Sequence, residues 1–402
     1  MGDFFYQIAI KCLTVYFKLG SLSGNKKAKE AISGRKKWKE PLKNLDHKKS
    51  TYWIHAASLG EGLMAIPLIE KILENINTQI IISFFSPSGY QNFNYQNRAL
   101  IKTYLPFDTL KNSNELVKLV NPKYLIFVKY DLWMNLIKIC LSNNIPVSVF
   151  SSKFEAKQWY FKIYGGWARK RLSRLSNIFT IDKESKLFLE SKGFENLTIS
   201  GDTRYDQVNN KLKPSKIETD KPCLILGSSW EAEEKIISDI FSEINEVQII
   251  IAPHEVNSQR LNQIQSLFED NCKLYSKINF EDELPKIIII DQIGLLADLY
   301  SISDIAFVGG GFSGKLHNII EPAAKGNFIF FGPNFQKFPE ANEMINQSIA
   351  YSINSHLDII EMIKKIINDK EALTLAKQKS IDFVKNKKGA TEIIYRKLMK
   401  EK

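Results

Sequence analysis

One recurrence constrains this chain more than any other feature. Short β-branched runs are each followed by a small-residue turn and then a helical pattern, the signature of repeated βα units around a parallel sheet. The first half reads as strands TYWIHA, TQIIISFF, KYLIFVKY and IPVSVFSS, with EGLMAIPLIEKILEN as a helix between two of them. A second series starts after about residue 220: CLILGSS, VQIIIAPH, KIIIIDQ, DIAFVGGG and FIFFGPN. Two series in 402 residues predict two doubly wound α/β domains, because one core rarely serves a chain of that length. The polar stretch GDTRYDQVNNKLKPSKIETDKP between them reads as a linker. The expected division is a helix over 1–22, a basic segment over 23–50, a first domain over 51–205, a linker over 206–220, a second domain over 221–385 and a closing helix over 386–402.

Every unusual polar cluster falls just after an expected strand. HAASLGEG, SFFSPSGY, VKYDLW and SSKFEAK do so in the first half, and GSSWEAEE, APHE, DQIGLLADLY and GGGFSGKLHNIIEP in the second. Open parallel sheets bind ligands outside the carboxyl ends of their strands, so the pattern points to an enzyme with a site between two domains.

Taken singly, the clusters keep two readings. Ser58 and Glu61 have the spacing of a capping box, in which the hydroxyl serves one helix amide and the carboxylate another. They also stand beside His55, Ala56, Ala57 and Gly60, small neighbours that leave room for a substrate facing the carboxylate. Gly309, Gly310 and Gly311 begin a GxGxxG run. It lies late in its domain and lacks an acid about 20 residues on, which argues against a dinucleotide oxidoreductase. What survives is a turn whose amides suit an anion, followed by a helix start at His317 and Asn318, with Glu321 placed to accept from a ribose diol. Gly227, Ser228 and Ser229 open the second domain in the same manner. Pro253 with His254, and Asp291 with Gly294, mark two further strand ends.

Composition removes several classes. Apolar residues at 44% and charged residues at 25% are those of a globular protein. Four scattered cysteines, five histidines and no HExxH leave neither a disulfide framework nor a dedicated metal site. The net charge of +11 is concentrated between Asn25 and Lys49, where ten Lys or Arg face three acids. Only Trp38 interrupts that run with an aromatic ring, and no nucleic-acid module accompanies it. Immediately upstream, FFYQIAIKCLTVYFKLGSL is apolar but broken by Lys11 and Lys18, and no small-residue cleavage site follows it. The expectation is a helix lying in a membrane surface, with a polybasic segment drawn to anionic lipid.

HAASLGE, YLPFD, KYDLWMNL, GDTRYD, GSSWEAEE, APHE, DQIGLLADLY and AFVGGGFSGKLHNIIEPAAKGNFIFFGP come in the order and approximate spacing of the Kdo transferases. The chain therefore resembles the 3-deoxy-D-manno-octulosonic acid transferases of lipopolysaccharide synthesis. That resemblance implies GT-B architecture: two Rossmann-like domains facing across a cleft, the first binding acceptor and the second a CMP-sugar. It implies CMP-Kdo as donor, the lipid A precursor as acceptor, inversion at the anomeric carbon, no metal or other cofactor, and the cytoplasmic face of the inner membrane. Glu61 corresponds to the family's general base, and Gly309, Gly310, Gly311, His317, Asn318 and Glu321 to its CMP-binding motif. Three departures bear on donor contacts and acceptor preference. Pro253 runs directly into His254 where many relatives have an arginine between, Trp230 replaces a histidine, and Lys129 replaces the first acid of a motif whose second acid survives as Asp131. Lys315 and Arg204 are the candidate replacements for the lost cation. The rival readings are another GT-B enzyme such as a UDP-sugar epimerase, and a nonenzymatic scaffold at a membrane surface.

Overall fold

The computed structural model describes residues 2–208 and 215–400. Residues 209–214 of the expected linker lie outside the described residues. Contacts divide the chain into Met1–Gln207 with Lys387–Lys402, and Val208–Asn386.

In the first unit seven parallel strands run β1 (Ser50–Ala56), β2 (Thr78–Phe84), β3 (Leu100–Tyr104), β4 (Tyr124–Val128), β5 (Val147–Ser152), β6 (Asn177–Thr180) and β7 (Leu197–Ile199). Their order in the sheet is β3-β2-β1-β4-β5-β6-β7. The order reverses at β1, where Tyr52 lies opposite Ile80 on one side and Tyr124 on the other. That switch point is where an open α/β sheet leaves a crevice at its strand ends. Side chains alternate along β1 with period 2. Trp53 joins Leu125, Phe127 and Val147 in the core on one face. Tyr52 and Ile54 join Met64, Leu68 and Ile69 on the other. The latter come from a helix, Leu59–Leu73, and Ile394 and Leu398 of the terminal helix Ala390–Lys400 complete that layer. The returning segment is fastened at Asp206, whose carboxylate accepts the Gly389 and Thr391 amides at 2.6 Å each.

The second unit repeats the plan with β8 (Cys223–Ser229), β9 (Gln248–Pro253), β10 (Cys272–Leu274), β11 (Ile287–Ile289), β12 (Ile305–Val308), β13 (Phe328–Phe331) and β14 (Ala350–Ser352). The sheet order is β10-β11-β9-β8-β12-β13-β14, again all parallel. Its switch point lies between β8 and β12. The nine strands expected from the sequence are all present. Five more, β3, β6, β7, β10 and β14, have only three to five residues each and too little apolar run to be read.

The amino terminus forms α1 (Gly2–Leu22) and α2 (Lys26–Lys36), which pack together. No described helix is long and apolar enough to cross a membrane. The start of α1 is tied to the first unit by polar contacts. Tyr6 donates to Asp108 at 2.7 Å, Gln7 pairs with Asn135, and Asp3 binds Arg171 and Lys138. Its outer face leaves Phe4, Phe5, Ile8, Val15, Tyr16, Leu19 and Leu22 exposed.

Candidate active site

At the end of β1 the chain turns through Ala57 and Ser58 into the helix Leu59–Leu73. Ser58 is its N-cap, and its hydroxyl accepts the Glu61 amide at 3.4 Å. The Glu61 carboxylate accepts the Ala57 amide at 2.5 Å, one residue upstream of the cap. The capping geometry is thus half drawn, with the carboxylate displaced along the strand end. Phe84 and Phe93 pack closely here because Gly62 has no side chain: a Cβ there would lie 2.7 Å from the Phe84 ring. Glu61 is half-buried, and burial pushes its carboxyl up, while the Ala57 amide and the nearby Lys129 ammonium pull it back. Gly60 is exposed.

Beside it runs a continuous hydrogen-bonded chain. Trp53 Nε1 donates to Ser83 Oγ at 2.8 Å, and Ser83 Oγ meets His55 Nδ1 at 2.9 Å. His55 Nε2 meets Asp131 Oδ2 at 3.2 Å, and Trp133 Nε1 reaches the same oxygen at 3.0 Å. Trp133 Nε1 also lies 3.1 Å from His55 Nε2, and because indoles only donate, Nε2 either accepts from Trp133 with the ring proton on Nδ1, or carries the proton toward Asp131 with Ser83 donating to Nδ1. His55 is completely buried; Asp131 stays partly open to solvent. Trp133 also stacks on Phe85 at 4.8 Å, and the buried Arg35 lies over the same Phe85 ring at 4.3 Å. Arg35 donates to the Ala31, Phe85 and Leu105 carbonyls, and burial lowers its pKa to about 10.

Asp108, from the YLPFD stretch, supports this loop from below. Its carboxylate accepts from Tyr6, Ser113 and the amides of Asn135 and Leu136, at 2.7 to 2.9 Å. Those amides open the helix Met134–Ser142, whose own N-cap, Trp133, makes no side-chain cap bond. Asp108 thus caps that helix from outside it. Burial pushes its pKa up to about 6 despite those four donors.

In the second unit, Ser228, Ser229, Trp230, His254 and the glycine turn meet around the ends of β8, β9 and β12. Ser229 stands opposite Pro253, and the His254 amide donates to the Ser229 carbonyl. Gly309 passes so close to β8 that a Cβ would lie 2.1 Å from the Ser228 carbonyl oxygen, and Gly310 has φ +87°. The helix after β8 begins at Glu231 with Trp230 as its N-cap, so Ser228 and Glu231 do not form the box their spacing suggests. Glu233 takes that part instead. It accepts the Trp230 amide at 3.1 Å and the Gly310 amide at 2.9 Å. One carboxylate therefore ties the helix start to the glycine turn, and it engages an amide that the sequence offered to a ligand anion.

Trp230, His254 and His317 stack, with ring centres 4.6 Å and 4.4 Å apart in succession. Trp230 Nε1 donates to His317 Nε2 at 3.1 Å, so the His317 proton resides on Nδ1. Burial, then the adjacent His254, lowers the His317 pKa to about 4. At neutral pH this ring is a neutral donor rather than a phosphate-binding cation. Asn318 accepts the Ile320 amide ahead of the five-residue helix Ile320–Ala324, which carries Glu321. Burial raises the Glu321 carboxyl, Lys325 opposes the shift, and Glu321 in turn acts on Tyr300. The Tyr300 hydroxyl fills the space a Cβ on Gly227 would take. Asp291 is not part of this group: its carboxylate holds the Ser276 amide at 3.1 Å and the Ser276 hydroxyl. Gly294 makes the following turn at φ +96°. Of the candidate cations, Lys315 is exposed, and Arg204, in the first unit, is paired with Asp202 at 2.7 Å.

Residues 35–207 match the family described as 3-Deoxy-D-manno-octulosonic-acid transferase (kdotransferase). A 3-deoxy-D-manno-octulosonic acid transferase of Haemophilus influenzae is 27% identical over 344 residues, covering 80% of each chain. Residues 35–207 thus carry a Kdo transferase domain, and similarity to Kdo transferases extends over most of the chain. A bifunctional glycosyltransferase/methyltransferase of Fusobacterium nucleatum is 28% identical over 343 residues, which are 80% of this chain and 53% of that one. The chain thus spans about half the length of that relative. In fold, it is similar to the crystal structure of a putative UDP-N-acetylglucosamine 2-epimerase from Listeria monocytogenes, with a TM-score of 0.60 at 11% identity over 86% of this chain and 95% of the other. The architecture is α/β with two parallel seven-stranded sheets and GT-B-like neighbours.

Three members of this candidate site escaped sequence reasoning. Ser83 sits inside an apolar strand with nothing to set it apart. Trp133 read as a motif position without a partner. Glu233 was one of several acids in GSSWEAEE, and only the glycine turn folding back onto it reveals its task.

Proposed function

We propose that the protein transfers Kdo from CMP-Kdo to a lipid A-type precursor in lipopolysaccharide synthesis, working at the cytoplasmic face of the inner membrane. The observation that carries the reading is the Glu61 carboxylate: half-buried at the switch point of the first sheet, with burial raising its affinity for a proton, in a chain similar to Kdo transferases over most of its length. The acceptor hydroxyl oxygen bonds to the anomeric carbon of Kdo as the bond from that carbon to the CMP phosphate breaks. The hydroxyl proton passes to Glu61, and CMP departs with the bonding pair. Attack opposite the leaving group inverts the centre, and no step calls for a metal. General-base assistance of this kind contributes roughly 10²- to 10⁴-fold.

The second unit's strand ends are assigned to the CMP moiety. Backbone donors beside Ser228, Ser229 and the glycine turn, and the neutral Nδ1–H of His317, are the groups proposed to meet the departing phosphate. Glu321 is assigned to the ribose. The exposed apolar face of α1 and the lysines of α2 are assigned to the membrane surface, where a lipid acceptor resides. The test is incubation with CMP-Kdo and lipid IVA, with the lipid product weighed by mass spectrometry. A product heavier by one or more Kdo residues is expected. No product, together with preferential binding of UDP over CMP, would favour the epimerase-like alternative suggested by the fold neighbour.

A further inference from the structure

Beside the Asp131 network the first unit contains a cavity of about 670 Å³, within the roughly 300–1,000 Å³ typical of sites that enclose a ligand. Its walls are apolar: Phe5, Ala9 and Ile10 from α1, Leu132 and Trp133 from the loop after β4, and Trp159 and Trp167 opposite. Asp131 is the only charged side chain in its lining. We propose that this cavity is a hydrocarbon-chain site, which takes one acyl chain of the lipid acceptor and so brings the headgroup sugar to Asp131.

Three observations converge on that occupant. The cavity is a built feature, because the α1 wall is held by Asp3, Tyr6 and Gln7 on buried or charged partners. Gly2 is pressed so near Trp167 that a Cβ would overlap the indole. The one charged group in its wall is continuous with the candidate active site, since Asp131 accepts from Trp133, meets His55 and acts electrostatically on Glu61. The surroundings suit a lipid lifted partly from a bilayer: Phe4, Ile8, Ile163 and Tyr164 are exposed, and Lys26, Lys27, Lys29 and Lys36 lie exposed on the adjoining α2. Aromatic rings and cations are the side chains that meet an anionic lipid interface. A phosphorylated glycolipid satisfies all three at once. A soluble sugar would leave the apolar walls unmatched.

The inference rests on the transferase reading for its substrate but is tested without it as well. In the first arm, transfer is compared on the acylated acceptor in detergent and on the same disaccharide stripped of acyl chains. Wild type is expected to prefer the acylated form in kcat/KM by at least about tenfold, as burial of even two methylenes would give. Ala9→Phe, which fills the cavity, is expected to raise KM for the acylated acceptor roughly tenfold while leaving kcat/KM on the stripped one within about twofold. Equal use of both acceptors by wild type, or equal loss on both in the variant, would overturn the acyl-chain site and leave the transferase reading standing. In the second arm, a brominated long-chain fatty acid is titrated against intrinsic fluorescence, because Trp133, Trp159 and Trp167 line the cavity. Saturable quenching that Ala9→Phe weakens about tenfold supports the site whatever the turnover. Quenching unchanged in the variant means adsorption to the outer apolar surface, and overturns it.

Discussion

At the end of β1 the first unit gathers groups that exchange or hold protons: Glu61, His55, Asp131 and Lys129. At the end of β8, the matching central strand of the second unit, stand packed rings and close-packed backbone: Trp230, His254, His317 and the glycine turn. Both sheets reverse order beside that strand, so the frame is shared and only the furnishing differs. Each furnishing follows from its assigned task. A base needs a carboxylate whose proton affinity is raised by burial yet reachable from solvent, and Glu61 is half-buried. A departing phosphate needs donors that cost no charge to bury. A histidine kept neutral down to about pH 4 and held in one tautomer is such a donor.

The comparison breaks most readily at Glu61. Glu61→Gln is expected to cut Kdo transfer by about 10²- to 10⁴-fold with CMP affinity and thermal midpoint nearly unchanged. If turnover survives and stability falls by about 1 kcal/mol, Glu61 is only a helix cap and the first unit loses its chemical distinction. Next in size is Gly309→Ala. The added methyl meets the Ser228 carbonyl oxygen at 2.1 Å, and overpacking of that kind costs about 1–3 kcal/mol. Calorimetric titration should show CMP binding lost or weakened at least tenfold, and unaltered binding would remove the glycine turn from the site.

Gly60→Ala sharpens the contrast from the other side. A Cβ at Gly60 meets nothing within 4 Å, and the residue is helical, so urea denaturation should show a gain of roughly 0.5–1 kcal/mol. A collapse of transfer despite that gain would mean the acceptor passes against the Gly60 backbone. At neutral pH, where the ring is largely uncharged in both the folded and the unfolded chain, the least visible effect concerns His317. Its folded pKa of about 4 lies below the ordinary 6.5, so the unfolded chain binds the extra proton between those values. Stability from this group is complete above about pH 6.5 and is lost as pH falls toward 4. His317→Gln should therefore flatten the decline in thermal midpoint across that window. An identical slope in both proteins would show the ring is not kept neutral by its surroundings.

Much of the architecture was legible because a strand buried on both faces must be a continuous apolar run, as TQIIISF and CLILGSS are. The missed strands are short edge or near-edge pieces such as Leu197–Ile199, whose pairing needs a neighbour more than a pattern. Within the candidate site, the position of Glu61 at a strand end was readable from spacing. Its engagement with Ala57 rather than Ser58 was not, because a hydrogen bond one residue off the capping pattern leaves the same letters in the chain. Likewise, YLPFD was readable as a motif, but the work of its Asp108 as the cap of the helix Met134–Ser142 is invisible without the fold.

Local order therefore determined the βα repeats, the strand-end placement of the polar clusters and the apolar, lysine-broken first helix, since each is written in periods of two or about four residues. Tertiary structure decided which distant groups share a proton or an amide: Ser83 with His55, Asp131 with Trp133, Glu233 with Gly310. It also decided that α1 roofs an aromatic cavity. The physical reason is that hydrogen bonds and burial act through distances of a few ångströms, which the chain closes only when the sheets assemble.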